Sequence, residues 1–120
     1  METEVIDLRD LILMIKEKKP MNANLALEFD CRLEVADYKP LVKVLNYAIN
    51  YIASLTDQPT QISLNAGGNG YLLGFTAFTA KTEFPVINPE VVEALKPYGA
   101  TVAISGEAGK YAKLLITFTK

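Results

Sequence analysis

The stretch that most constrains the fold is residues 24–35. Leu25, Leu27, Phe29, Cys31, Leu33 and Val35 alternate there with Ala26, Glu28, Asp30, Arg32 and Glu34. A period of two puts every second side chain on the same face of a strand. One face is then dry and the other is wet and charged, so the pattern predicts a half-buried strand whose sheet has one open face. Full burial of those six side chains would contribute on the order of 10 kcal/mol before entropy is counted. Cys31 falls on the apolar face, where it reads as a buried, inert thiol and not a nucleophile. Glu28, Asp30 and Glu34 share the wet face, where charges are expected whatever the function.

Helices to cover the dry face are readable on both sides. Residues 7–18 carry Leu8, Leu11, Ile12 and Ile15 at helical spacing, with Asp7 as cap and Asp10 three residues on. Lys16, Lys18 and Lys19 close this helix and complement its dipole, and Pro20 helps to stop it. Residues 38–55 predict the main helix, with Asp37 as N-cap and Pro40 in the first turn. Its apolar face is Leu41, Val44, Leu45, Ala48, Ile49, Ile52 and Leu55. Asn88-Pro89-Glu90 opens a third helix carrying Val91, Val92 and Leu95, which ends near Pro97 and Gly99.

Four further strands complete the pattern. Ile62, Leu64 and Ala66 alternate, Gly67-Gly68-Asn69-Gly70 turns, and residues 71–80 return as a hairpin partner. No helix follows those glycines, so they read as a turn and not as a phosphate loop. Residues 100–105 and 111–119 form the last pair, around the turn from Gly106 to Gly109. The expected order is α-β-α-β-β-α-β-β. That is an α+β two-layer sandwich, with three helices on one face of a mixed, mostly antiparallel five-stranded sheet. Residues 1–120 read as a single domain, since there is no linker, repeat or low-complexity tract.

Composition excludes several function classes. The 12 basic and 14 acidic residues leave a net charge of -2, which argues against nucleic acid as a partner. No apolar run approaches the ~20 residues of a membrane helix, and the acidic start lacks the form of a signal peptide. One cysteine and no histidine exclude a zinc set and remove the commonest general base. A reducing, cytoplasmic setting is the expectation. No metal site, no cofactor and no catalytic residue set is expected.

Three segments resemble the ATP-binding domain of sensor histidine kinases, whose histidine kinase-like ATPase (Bergerat) fold is shared with DNA gyrase B, the Hsp90 chaperones and MutL. They are VIDLRDLI, LEVADYKPLVKVLNYAINYI and VVEALKPYGATVAISGEAGKYAKLLITF. The resemblance implies a main helix with two Asn four apart, the second holding Mg²⁺ between the ATP phosphates. Two registers are open, one on Asn46 and Asn50 and one on Tyr47 and Tyr51. In the family, core positions fall at set offsets around the first Asn. Counting from 47 lands on Leu41, Val44, Leu45, Ala48, Ile49 and Ile52, whereas counting from 46 would bury Lys43. The metal position therefore falls on Tyr51, and a neutral phenol is a poor Mg²⁺ ligand beside an amide or carboxylate oxygen.

The resemblance also implies an adenine motif, Asp-x-Gly-x-Gly, in the stretch from Phe78 to Pro85. Thr79 stands there for the aspartate, and Lys81 and Glu83 stand for the glycines. A side chain at either glycine position blocks the close approach of backbone to ligand. The long glycine-rich lid is replaced by the short run from Glu83 to Ile87. The implied reading is a domain without the ATP lid, not an enzyme, that acts as a protein-interaction or regulatory module in two-component-type signalling. Its partner would be another protein or a second copy. Phe78, Phe84 and Tyr98, together with the two tyrosines, are candidate interaction anchors. The alternative is a small ligand other than ATP in the remnant cleft, whose candidates are Tyr47, Tyr51, Thr79, Lys81 and Glu83.

Overall fold

The computed structural model describes residues 3–18, 22–28 and 30–119. Lys19, Pro20 and Phe29, to which the sequence assigns a helix end and a place on a strand face, lie outside the described residues. The elements are β1 (Glu4–Asp7), α1 (Leu8–Lys18), β2 (Ala23–Leu27), β3 (Arg32–Val35), α2 (Lys39–Ala53), β4 (Thr60–Gly67), β5 (Gly70–Phe78), α3 (Pro89–Leu95) with a 3₁₀ turn over Lys96–Tyr98, β6 (Ala100–Glu107) and β7 (Tyr111–Thr119). Five strands form one sheet in the order β2-β4-β5-β7-β6. The β2–β4 pair is parallel and the other pairs are antiparallel.

The helices cover one face of that sheet. Leu41, Val44, Leu45, Ala48, Ile49 and Ile52 of α2 are all buried, so the periodicity counted from position 47 holds. They meet the dry sides of β5 and β7, where Leu73, Phe75, Leu114, Ile116 and Phe118 are fully buried. Lys43 is exposed. On the opposite face of the sheet Leu72 and Thr101 are exposed.

The long alternating stretch is not one strand. It divides into β2 and β3, and β3 pairs with β1 in a separate two-stranded sheet. Asp30 at the break has φ 56, in the left-handed region that an Asp tolerates better than most residues. The Cys31 carbonyl accepts a hydrogen bond from the Leu8 N–H at 2.9 Å, which ties the break to the start of α1. Each half keeps period two, so the alternation runs on through a change of sheet. Cys31 and Val35 are buried, but Leu25, Leu27 and Leu33 are only partly so. The stabilisation expected for full burial is therefore an overestimate.

Two smaller corrections follow. A strand, β1, precedes α1; its four residues are too few to show a period, and Val5 is 67% exposed. The order is accordingly β-α-β-β-α-β-β-α-β-β. The N-cap position of α2 is Tyr38, not Asp37. Asp37 still serves the helix end, because its carboxylate accepts from the Lys39 N–H at 3.0 Å. The other caps are as expected: Asp7 accepts from the Arg9 N–H at 2.9 Å, and Asn88 accepts from the Glu90 N–H at 3.0 Å. Gly70, in the first hairpin, has φ 148, and a Cβ there would stand 1.8 Å from the Phe118 carbonyl oxygen. Only glycine fits that approach.

Candidate functional site

Residues 79–88 form neither helix nor strand, and they join β5 to α3. This strap is held against α2 by two phenols. Tyr47 and Tyr51 are four apart, so they share a helix face, and their ring centroids lie 6.1 Å apart at 42°. The Tyr51 hydroxyl donates a short hydrogen bond to the Pro85 carbonyl. The Tyr47 oxygen accepts from the Asn88 N–H at 3.0 Å. Burial first, and the neighbouring Tyr47 second, push the Tyr51 phenol above its ordinary pKa. Tyr51 is therefore a neutral donor across the ordinary pH range.

The beginning of the strap is pinned by Thr79, which is 7% exposed. Its hydroxyl donates to the Leu55 carbonyl at 2.6 Å and accepts from the Lys81 N–H at 3.2 Å. Its own N–H donates to the Lys110 carbonyl at 3.0 Å, and the Lys81 carbonyl accepts from the Gly109 N–H at 2.9 Å. The strap thus joins the end of α2 to the β6–β7 turn.

Beside this pin, beyond the C-terminal end of α2, lies a depression of about 590 Å³. Thr56, Gln58, Phe78, Thr79 and Lys81 are among its walls. A second hollow of about 420 Å³ shares Lys81 and adds Glu83, Phe84 and Pro85. The Lys81 ammonium reaches the Ser54 carbonyl at 3.5 Å, where it complements the negative end of the helix dipole. Phe78 is 55% exposed.

The structure therefore divides the candidate residues. Thr79 and Lys81 share the larger depression, and Lys81 and Glu83 share the smaller. Tyr47 and Tyr51 stand instead behind the strap; Tyr47 lines a separate groove between α2 and α3 with Val91 and Ala94. Of the interaction candidates, Phe78 is exposed, while Phe84 and Tyr98 pack partly buried against the core. The Tyr98 hydroxyl donates to the Asp37 carbonyl at 2.6 Å. The strand carboxylates are each engaged separately: Glu28 accepts from the Ala66 N–H, Asp30 meets Arg32, and Glu34 accepts from Thr3. Among the described residues no group of three or more His, Cys, Asp or Glu side chains comes together to hold a metal, and no helix is long and apolar enough to cross a membrane.

The clasp contacts at Pro85 and Asn88 carry no signal in the sequence, although Asn88 is legible there as a helix cap, and neither does the pairing of Tyr111 with Phe78 across β5 and β7. Both clasp contacts use backbone atoms of an irregular segment, and no residue type marks those. Tyr111 could have been noticed as an aromatic at the start of the last strand.

No family model and no curated protein matches the chain. Solved structures do. The histidine kinase domain of the E. coli osmosensor EnvZ superposes with a TM-score of 0.76 at 9% identity, over 99% of this chain and 89% of that one. The ATP-binding domain of PrrB from Mycobacterium tuberculosis gives 0.71 at 14% identity, over 99% and 98%. The histidine kinase AdeS of Acinetobacter baumannii gives 0.67 at 15% identity, over 99% and 68%. At such identities the likeness is one of architecture, and the chain has the histidine kinase-like ATPase fold.

Proposed function

We propose that the chain is a nucleotide-free version of this ATPase-like domain, working as a protein-interaction or regulatory module in two-component-type signalling. One observation carries the reading: the tyrosine clasp of the strap onto α2. In the register counted from Tyr47, the family resemblance implies that Tyr51 stands where the family's Mg²⁺-holding amide would be. Its hydroxyl is committed to the Pro85 carbonyl, and Tyr47 is committed to Asn88. To bring phosphates and a cation to that place, both contacts would have to open and a phenol would have to replace an amide or carboxylate ligand. The solved structures with this fold include histidine kinase domains, which supports a two-component setting. The chain contains no histidine, so it offers no phosphohistidine site of its own.

The test is thermal unfolding of the chain with ATP or ADP, with and without Mg²⁺. A ligand at 100 times its dissociation constant stabilises by ~2.7 kcal/mol. No Mg²⁺-dependent shift is expected, and a clear one overturns the reading.

A second reading is favoured by the depression of about 590 Å³ around Phe78, Thr79 and Lys81. Its size falls in the range of small-ligand sites. The clasp does not obstruct it, since neither tyrosine lines it.

A further inference from the structure

We infer that the β6 edge is a self-pairing surface, on which two copies of the chain join their β6 strands antiparallel about a two-fold axis with their α3 helices side by side. The inference deepens the interaction-module reading and rests on it for its purpose, because it names the partner as a second copy.

Among the described residues, the backbone of β6 has one side free: β6 is the last strand of the five-stranded sheet, bonded to β7 on one side only. The Thr119 N–H donates to the Gly99 carbonyl at 3.1 Å, which sets the phase of the ladder. In an antiparallel pair the bonded positions alternate. Thr101, Ala103 and Ser105 therefore bond to β7, and the N–H and C=O groups of Val102 and Ile104 point out from the sheet. Natural edges are blunted by lysine, proline, bulges or short length. From Ala100 to Ser105 the edge has no charge and no proline, and the strand is eight residues long.

Above that edge lies the helix layer. Val91 and Leu95 of α3 are buried, and Ala94 faces the groove against α2. Helical spacing then puts Val92 and Lys96 on the flank away from α2, over the free edge. Val92 is 40% exposed. Val102 and Ile104 share the dry face of the sheet but are only partly buried. The core layer is thus cut open along one line, with Val92 above and Val102 and Ile104 below.

A second copy fits this line by symmetry. Pairing centred on Ala103 sets Val102 opposite Ile104 of the second copy, so their outward groups bond reciprocally. Glu107 then falls opposite Gly99, so no like charges meet along the strands. On the flank, the Glu93–Lys96 ion pair at 2.9 Å presents both signs, and a two-fold axis matches such a pair with its own inverse. Stable interfaces bury about 1,200–2,000 Å². A strand pair alone falls short of that, so the α3 flank is a necessary part of the contact.

The experiment is sedimentation of the full chain over a concentration series, together with amide hydrogen exchange. The native chain should form a concentration-dependent dimer in which the amides of Val102 and Ile104 become protected. Ala103→Lys places like charges together at the axis on an exposed position, and Val92→Asp charges the helix flank. Each should weaken the dimer by roughly a hundredfold while leaving the circular dichroism spectrum and the cooperative melt intact. Persistence as a monomer overturns the proposal. So does a dimer indifferent to both variants, or one whose Val102 and Ile104 amides stay unprotected. Protection of those amides only on adding an extended peptide from another protein would also overturn it. A Mg²⁺-nucleotide shift sinks the functional reading without touching the dimer, and a monomer sinks the dimer without restoring nucleotide binding.

Discussion

Tyr51→Phe removes one oxygen from the clasp and leaves the ring that packs beside Tyr47. Tyr51 is 7% exposed, so the phenyl ring stays in the core. Its former acceptor, the Pro85 carbonyl, belongs to an exposed residue and can turn to water. The loss is therefore the net value of one hydrogen bond, about 1 kcal/mol, without the larger penalty of an orphaned buried acceptor. For a chain of this size that lowers the melting temperature by about 4 °C. Urea unfolding should show a lower midpoint at an unchanged slope. The pH dependence gives a second signature. Burial raises the Tyr51 phenol above the ordinary tyrosine value of ~10. The neutral, donating form is the stabilising one, so its contribution is complete below pH ~10 and is lost as pH rises through the higher folded value. Native protein should then lose stability more steeply above pH ~10 than Tyr51→Phe does. Tyr98, whose phenol burial also raises, adds a loss of the same sign that is present in both proteins. If Tyr51→Phe matches the native chain at neutral pH and keeps the full alkaline loss, the clasp is not a stabilising contact and the reasoning fails.

Substitutions at two further positions probe the site and the fold. Thr79→Val should cost roughly 1–3 kcal/mol, because it leaves the buried Leu55 carbonyl without its donor, whereas Thr79→Ser should retain most of the stability in the same denaturation assay. At the break between β2 and β3, Asp30→Gly should be tolerated and Asp30→Val should cost about 1–2 kcal/mol, since a β-branched residue resists a φ of 56; equal stabilities for the two variants would show that the chain does not turn there.

Much of the architecture was legible because it rests on periodicity. The α2 face is an example: six positions counted from Tyr47 are buried and Lys43 is not. Turn chemistry was legible too, at Gly70 and at the Asn88 cap. The break at Asp30 was hidden because period two continues on both sides of it, and alternation records faces without recording sheets. β1 was hidden by its length. At the site, Tyr51, Thr79 and Lys81 could be picked out as residue types. What they bond to could not, because their partners are the backbone oxygens of Pro85, Leu55 and Ser54, and a carbonyl looks alike in every residue.

The order of the sheet also bears on how the chain reaches this structure. Among the described residues, only β4–β5 and β6–β7 join neighbours in sequence through tight turns. The central β5–β7 pairing spans the strap and α3, and the parallel β2–β4 pairing spans all of α2. Contacts between distant segments must close long loops before they are rewarded, which slows folding. Two fast hairpins, joined late along β5 and β7, are the folding order this topology implies. The strap's full set of contacts is complete only after that join, because Thr79 and Lys81 are also bonded to the far turn at Lys110 and Gly109. The clasp is then a last event of folding, and its hydroxyl contacts should speed folding little while slowing unfolding.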